Sequence, residues 1–196
     1  METAANIPLG IVKWAGNPDY GIPRLDIAWV ATVSGQDPVP KINGYSDGII
    51  NVPAKWSGVL ESPVGGIVCR YGQTSGGPHC GTVASKGKMY NFYPIGYIDG
   101  VTAVSGSCSD DGDSGGPWLS ASSYQVQGTN IGATETNTCP DHVDDETYFQ
   151  PIHYHIDKYS DYWYAPAGSL LTTHGAAAPT LSGFKCPDMD NSGSNT

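Results

Sequence analysis

The run Gly112-Asp113-Ser114-Gly115-Gly116-Pro117-Trp118 has the composition of a loop that could arm a serine. A serine hydroxyl attacks an acyl carbon only with two kinds of help. A base must take its proton. Hydrogen-bond donors must meet the negative oxygen that develops on the acyl group. Glycine at 112 suits the second task. The backbone has to turn so that the N–H groups of Gly112 and Ser114 aim at one point, and glycine adopts such a turn freely. A side chain at 112 would obstruct that approach. The plainer reading is a glycine-rich β turn with an incidental serine, but the motif is long and specific.

The first task needs a base, normally histidine. Five histidines occur, at 79, 142, 153, 155 and 174. His79 falls at the tip of an expected hairpin, exposed. His142 lies in a polar loop after Cys139, and His174 in a Gly/Ser/Ala-rich tail. His153 and His155 sit in FQPIHYHIDKYSDYW, residues 149–163, which has helical spacing at Ile152, Ile156 and Tyr159. Pro151 suits a first helical position there. Two residues apart on a helix point to nearly opposite faces, so His153 and His155 do not converge on a metal. On a strand they could, with an acid from Asp144, Asp145 or Glu146. We expect no metal and no cofactor.

The surroundings of Ser114 carry a family resemblance. VCRYGQTSGGPHCGTV, CSDDGDSGGPW and CPDHVDDETYFQPI resemble segments of chymotrypsin-like serine peptidases. The likeness is to the secreted bacterial branch of streptogrisins and α-lytic protease, over about residues 11–163. It implies an all-β fold of two antiparallel β-barrels with the active site between them, followed by a short C-terminal helix. It implies disulfides Cys69–Cys80 and Cys108–Cys139, and an ion pair between Arg70 and Asp113, for which arginine can offer a bidentate contact. It makes Ser114 the nucleophile and Gly112 and Ser114 the oxyanion hole. Ser109 and the stretch Asn130, Ile131, Gly132, Ala133 should line the substrate pocket. Many relatives have Ser-Gly-Gly where this chain has Ile131-Gly132-Ala133. Isoleucine cannot give the hydrogen bond by which that serine supports the triad aspartate, and Ala133 narrows the space where a substrate backbone would pair. Asp110 and Asp111 could favour basic substrates, or be solvated loop residues.

The family order is His, Asp, Ser along the chain. Asp19 in NPDYGIP and Asp26 in LDIAWV compete for the aspartate. Spacing to Val64-Gly65-Gly66 favours Asp26, which also opens an apolar strand. No histidine precedes Asp26. The family's Ala-Gly-His-Cys segment is not in this sequence, and the N-terminal barrel would be incomplete. The expected function is a serine-type endopeptidase acting on polypeptides, with its histidine-bearing N-terminal part missing from this chain. The alternative is a non-catalytic relative, a pseudoprotease or binding protein that keeps the fold.

The elements that must position these residues are strands. The chain has 196 residues, 26 of them glycine and 15 proline, and only 14% charged. Soluble domains usually carry about 25%. Short apolar runs punctuated by turn residues point to an all-β domain. They include GIVKW, DIAWVATV, GIINV, GGIVCRYG, GTVAS, MYNFYPIGY, GVTAV, GPWLS, YQVQGTNIG and ETYFQ. We divide the chain into a partial N-terminal barrel (1–57), a C-terminal barrel plus helix (58–165) and a tail (166–196). A net charge of −10 without a basic run argues against nucleic acid. No segment has the length of a membrane span. Paired cysteines favour an oxidising, extracellular setting, although the N-terminus lacks a secretion signal. A missing N-terminal segment or propeptide is an expected partner. Cys186 is left over, as a free thiol or the mate of a cysteine outside the chain.

Overall fold

Alternating apolar and polar residues, broken by glycine and proline, give strands wherever the sequence repeats that pattern. The structure is a computed structural model that describes residues 10–15, 24–33, 41–52, 61–93, 96–134, 139 and 146–155. Four strands lie in the N-terminal part: β1 (Gly10–Ala15), β2 (Ala28–Thr32), β3 (Lys41–Asn43) and β4 (Ile49–Asn51). Six follow: β5 (Ile67–Gly72), β6 (Gly76–Phe92), β7 (Gly96–Ser105), β8 (Pro117–Ser120), β9 (Val126–Ala133) and β10 (Glu146–Pro151).

The last six close into an antiparallel barrel in the order β10-β7-β6-β5-β8-β9. Closure leaves no unpaired edge. Its strands bury one cluster of Val68, Val83, Val104, Trp118 and Phe149, and a separate one of Ile98, Val101, Ala103, Ile131 and Tyr148. Ala103 and Val104 are neighbours on β7, as are Tyr148 and Phe149 on β10, so the two clusters lie on opposite faces of the sheet. The Trp118 and Phe149 rings stack at 5.3 Å. GTVAS and MYNFYPIGY were expected as separate strands. GTVAS and the first four residues of MYNFYPIGY instead share β6, which runs 17 residues without a break, while Gly96 and Tyr97 open β7. Register shifts between Val83 and Tyr90, with Gly87 at φ +67°, let one strand bend round the barrel.

The short C-terminal helix is present but starts later than expected. Residues 149–151 are the end of β10, and helix begins at 152, continuing to 155, the last described residue. β10 is bonded to β7 on one side and β9 on the other, with Pro151 opposite Gly128. Pairing of Phe149 with both neighbours, and of Gln150 and Pro151 with β9, holds this segment extended. Residues 156–163 and the tail with Cys186 and His174 lie outside the described residues, as does Asp19.

β1–β2 and β3–β4 are two separate two-stranded sheets. The segment before β2 fastens to the barrel. Arg24 and Asp99 are joined twice, by the Asp99 N–H to the Arg24 carbonyl at 2.8 Å and by the Arg24 N–H to the Asp99 carboxylate Oδ2 at 3.0 Å. The Asp26 N–H donates to Gln150 Oε1 at 3.2 Å, and Gln150 Nε2 donates to the Asp99 carbonyl at 3.1 Å. Leu25 and Ile27 are buried beside these bonds.

The two histidines of the helical turn face different partners. His153 meets Glu61, which also pairs with Lys86 at 2.8 Å. Burial alone would raise the Glu61 carboxyl, but His153 and Lys86 outweigh it and hold it below its ordinary value. His155 is buried, with Nε2 3.0 Å from Thr129 Oγ1. Glu146 accepts from Tyr148 instead.

Burial lowers the His155 pKa to about 4, from 6.5. The native state therefore resists a proton that the unfolded chain accepts. The stability is fully present above pH 6.5 and is lost as the pH falls toward 4. That loss is about 3 kcal/mol. Urea denaturation of wild type and His155→Gln at pH 7 and pH 4 should show wild type losing that much more. Equal losses would mean that His155 is not held neutral.

Candidate active site

Ser114 sits in the loop between β7 and β8, and its geometry is set by the residue before it. Asp113 is 1% exposed. Its carboxylate meets Arg70 Nη1 at 2.9 Å, and Arg70 is fully buried on β5. Nη1 makes no well-directed hydrogen bond, so charge more than direction holds this contact. The expected bidentate fork is absent. Arg70 uses its other nitrogens on the Cys108 carbonyl (Nε, 2.9 Å) and on Ser75 Oγ (Nη2, 2.7 Å).

The β5–β6 turn supplies the remaining donors. Thr74 N–H and Ser75 N–H reach Asp113 Oδ1 at 2.9 and 3.1 Å. Ser75 Oγ donates to Oδ2 at 2.7 Å, and the Asp110 N–H does so at 2.9 Å. Burial alone would raise this carboxyl. Ser75, the Asp110 N–H and the Arg70 charge together hold it below its ordinary value. Burial pulls Arg70 below its own ordinary value, and the charges of Asp113 and Asp110 act against the drop. A buried carboxylate thus has a cation and four hydrogen bonds, as its desolvation requires.

Holding Asp113 inward turns the flanking backbone outward. Gly112 has φ +95°, and a Cβ there would collide with Thr74 Oγ1. The N–H groups of Asp113, Gly115 and Gly116 are spent on the carbonyls of Asp110, Asn130 and Asp113 at 3.0, 2.8 and 3.0 Å. Those of Gly112 and Ser114 have no partner among the described residues. Both residues are exposed. Ser114 Oγ donates to the Ile131 carbonyl at 3.0 Å.

The other expected site residues fall in three places. Asn130 and Ser109 are buried and bonded to each other, Nδ2 to Oγ at 2.9 Å, and Trp118 Nε1 donates to Asn130 Oδ1 at 3.2 Å. They stiffen the floor under the loop. Ile131 packs its side chain against Ile98, Val101, Ala103 and Tyr148 and turns its carbonyl to Ser114. Gly132 borders open space, and Ala133 pairs with Thr147. Asp26 is half-buried, and burial raises its carboxyl above its ordinary value. No described side chain bonds that carboxyl.

The disulfides are Cys69–Cys80, across β5 and β6, and Cys108–Cys139, which ties the Ser114 loop to the segment after β9. His79 corrects an expectation. It is not at an exposed tip but on β6 opposite Arg70, half-buried against the Cys108 sulfur. Missed altogether in the sequence were Thr74 and Ser75. Their small polar side chains in GQTSGG are a turn signal, which does not tell what the turn holds.

A closed antiparallel barrel bearing this loop is the architecture of the chymotrypsin fold, and the solved structures it matches agree. A chymotrypsin from Cellulomonas bogoriensis matches with TM-score 0.59 and 32% identity, over 71% of this chain and 69% of that one. Protease A from Thermobifida fusca matches with TM-score 0.59 and 34% identity, over 71% and 68%. Streptogrisin-C from Streptomyces griseus is 40% identical over 158 residues, which is 81% of this chain and 30% of that protein. The chain thus spans under a third of that relative's length. No family model matches it. The chain belongs to the chymotrypsin-like serine proteases, in the bacterial branch of streptogrisins and α-lytic protease.

Replacing Arg70 by methionine keeps much of its volume and strands the buried Asp113 charge. Removing one partner of a buried pair costs about 3–5 kcal/mol. Urea denaturation of Arg70→Met should show that loss, with exchange broadening of the Gly112–Ser114 amides. A loss under about 1 kcal/mol with unchanged amide signals would refute a dominant role for the pair.

Proposed function

We propose that the chain carries the serine and aspartate of a serine endopeptidase. Ser114 attacks the peptide carbonyl, and the N–H groups of Gly112 and Ser114 receive the oxyanion. Asp26 orients a histidine that takes the serine proton. The observation that carries this reading is the pair of unbonded N–H groups at Gly112 and Ser114, on either side of Asp113, whose own N–H is bonded and whose carboxylate is locked inward. Two outward N–H groups on one locked turn are suited to receive a single negative oxygen.

Asp26 supports the same assignment from the other side. A carboxyl raised by burial, with no partner among the described residues, suits a group whose cation arrives from elsewhere. The sequence has no histidine before Asp26. We assign the base to polypeptide beyond these 196 residues. In this reading residues 1–57 are part of an N-terminal barrel, 58–165 the C-terminal barrel with its helix, and 166–196 a tail. The substrate is a polypeptide whose backbone runs along Ile131, Gly132 and Ala133, with Ser109 and Asn130 below. Two disulfides in the barrel suit an extracellular protein.

One observation favours a non-catalytic relative. Ser114 Oγ is already bonded to the Ile131 carbonyl, and Ile131 offers Asp26 no hydroxyl. An organophosphonate probe separates the readings. Residues 1–196 alone should label at Ser114 negligibly. The same chain made together with its upstream coding sequence should label at an ordinary serine-protease rate, and Ser114→Ala should abolish both labelling and peptide hydrolysis, a fall on the order of 10⁶ in kcat. Ordinary labelling of residues 1–196 alone would refute the external histidine. No labelling of either form would favour the non-catalytic relative.

A further inference from the structure

Among the described residues only Tyr45 and Tyr124 have a positive φ without being glycine, and Tyr45 stands at +56°. A tyrosine at that φ is strained, whereas glycine or asparagine adopts it readily. Strain of this kind persists only where the surroundings hold it. We propose that Tyr45 is a positioning residue for the Ser114 loop, which clamps from the N-terminal part the β5–β6 turn that holds Asp113. Its catalytic consequence rests on the reading of Gly112 and Ser114 as oxyanion donors. The structural coupling does not.

Tyr45 opens a 3-10 turn, Tyr45–Asp47, between β3 and β4. Its N–H donates to Asn43 Oδ1 at 2.9 Å, and the Gly44 N–H donates to the Gly48 carbonyl at 2.6 Å. These local bonds fix the turn, and its side chains then reach the β5–β6 hairpin. The Tyr45 ring lies beside Gly76, where a Cβ would touch it at 3.5 Å. The Tyr45 hydroxyl donates to the Gly72 carbonyl. Ser46 Oγ donates to the Gly77 carbonyl at 3.4 Å, and the Tyr71 hydroxyl donates to Asp47 Oδ2 at 3.3 Å. Each residue of the turn thus meets the same hairpin. Ile50 and Val52, which follow, pack on Cys69, Tyr71 and Leu119.

Gly72 is where the clamp meets the site. A Cβ there would collide with the Asp113 carboxylate and with Arg70 Nη1, so the backbone at 72 touches the buried pair directly. Thr74 and Ser75, just beyond it, give the N–H groups that hold Asp113 Oδ1. β8 pairs with β5 from Val68 to Arg70, so Gly72 lies past the end of that ladder. Arg70 Nη2 holds the turn from inside, through Ser75 Oγ, and Tyr45 holds it from outside. With the Gly72 carbonyl released, the turn is free to shift with its two N–H donors. Asp113 follows them, and Gly112 and Ser114 follow Asp113. Glycine at 45 would remove the strain and the clamp together, since it has no hydroxyl to reach Gly72.

Tyr45→Phe removes the hydroxyl and keeps the ring against Gly76. In residues 1–196 it should shift or broaden the amide signals of Thr74, Ser75, Gly112 and Ser114, and leave those of β9 and β10 in place. Tyr45→Asn, which suits the positive φ but is too short for Gly72, should do the same. Ser46→Ala, on the same turn, should leave all four signals unchanged. In the chain made with its upstream coding sequence, Tyr45→Phe should slow organophosphonate labelling of Ser114 about 5-fold. The loss should fall on the limiting rate and not on the half-saturating probe concentration. Loss of folded protein would instead lower the labelled fraction at an unchanged rate. Wild-type amide signals in Tyr45→Phe and Tyr45→Asn would overturn the coupling. Shifted amides with an unchanged labelling rate would overturn the positioning role. A wild-type chain that does not label would sink the endopeptidase reading and with it the catalytic consequence, while the amide signals still decide the coupling.

Discussion

One buried carboxylate sets the shape of everything near Ser114. Asp113 is shielded from solvent, so it must draw its compensation from protein groups. Arg70 supplies the charge, and Thr74, Ser75 and the Asp110 N–H supply the bonds. These groups come from β5, from the turn after it and from the loop itself. The backbone on either side of Asp113 is then forced outward, and two of its N–H groups are left without partners. The outward-facing turn of this loop is a consequence of satisfying a buried charge, and it needs no histidine to form.

The barrel explains why that arrangement is rigid. Arg70 lies on β5 between β6 and β8, so its stem has strands on both sides. Trp118, on the neighbouring strand, fills the core and hands its N–H to Asn130, which in turn holds Ser109. The Cys108–Cys139 disulfide ties the loop's start to the segment after β9. The N-terminal part joins the barrel at two described places. Residues 24–27 rest on Asp99, Gln150 and two buried apolar side chains. Ile50 and Val52 pack on Cys69, Tyr71 and Leu119, and the Tyr45 hydroxyl donates to the Gly72 carbonyl.

Much of this was legible in the residues, unevenly so. GPWLS, YQVQGTNIG and ETYFQ read as strands because apolar residues and turn signals agreed there. Residues 149–151 misled because a proline suited to a first helical turn is a local signal, whereas pairing of this segment with β9 is not. β6 was split because bulges at its middle break the two-residue alternation that marks a strand. At the site, Gly112 and Ser114 stood out through the motif itself, and Arg70 through a family resemblance alone. Nothing in sequence distance links His79 to Cys108, 29 residues on, or Asn130 to Ser109, 21 residues back. Those contacts are products of closure.

The central claim is that Gly112 and Ser114 hold two N–H groups open for an oxyanion. Amide proton shifts on titrating a peptide carboxylate, which presents a negative oxygen where the reacting acyl group would sit, test it most directly. The account predicts downfield shifts at Gly112 and Ser114 with little change at Asp113, Gly115 and Gly116, whose N–H groups are already bonded. No shift at either residue, or equal shifts across all five, would contradict it.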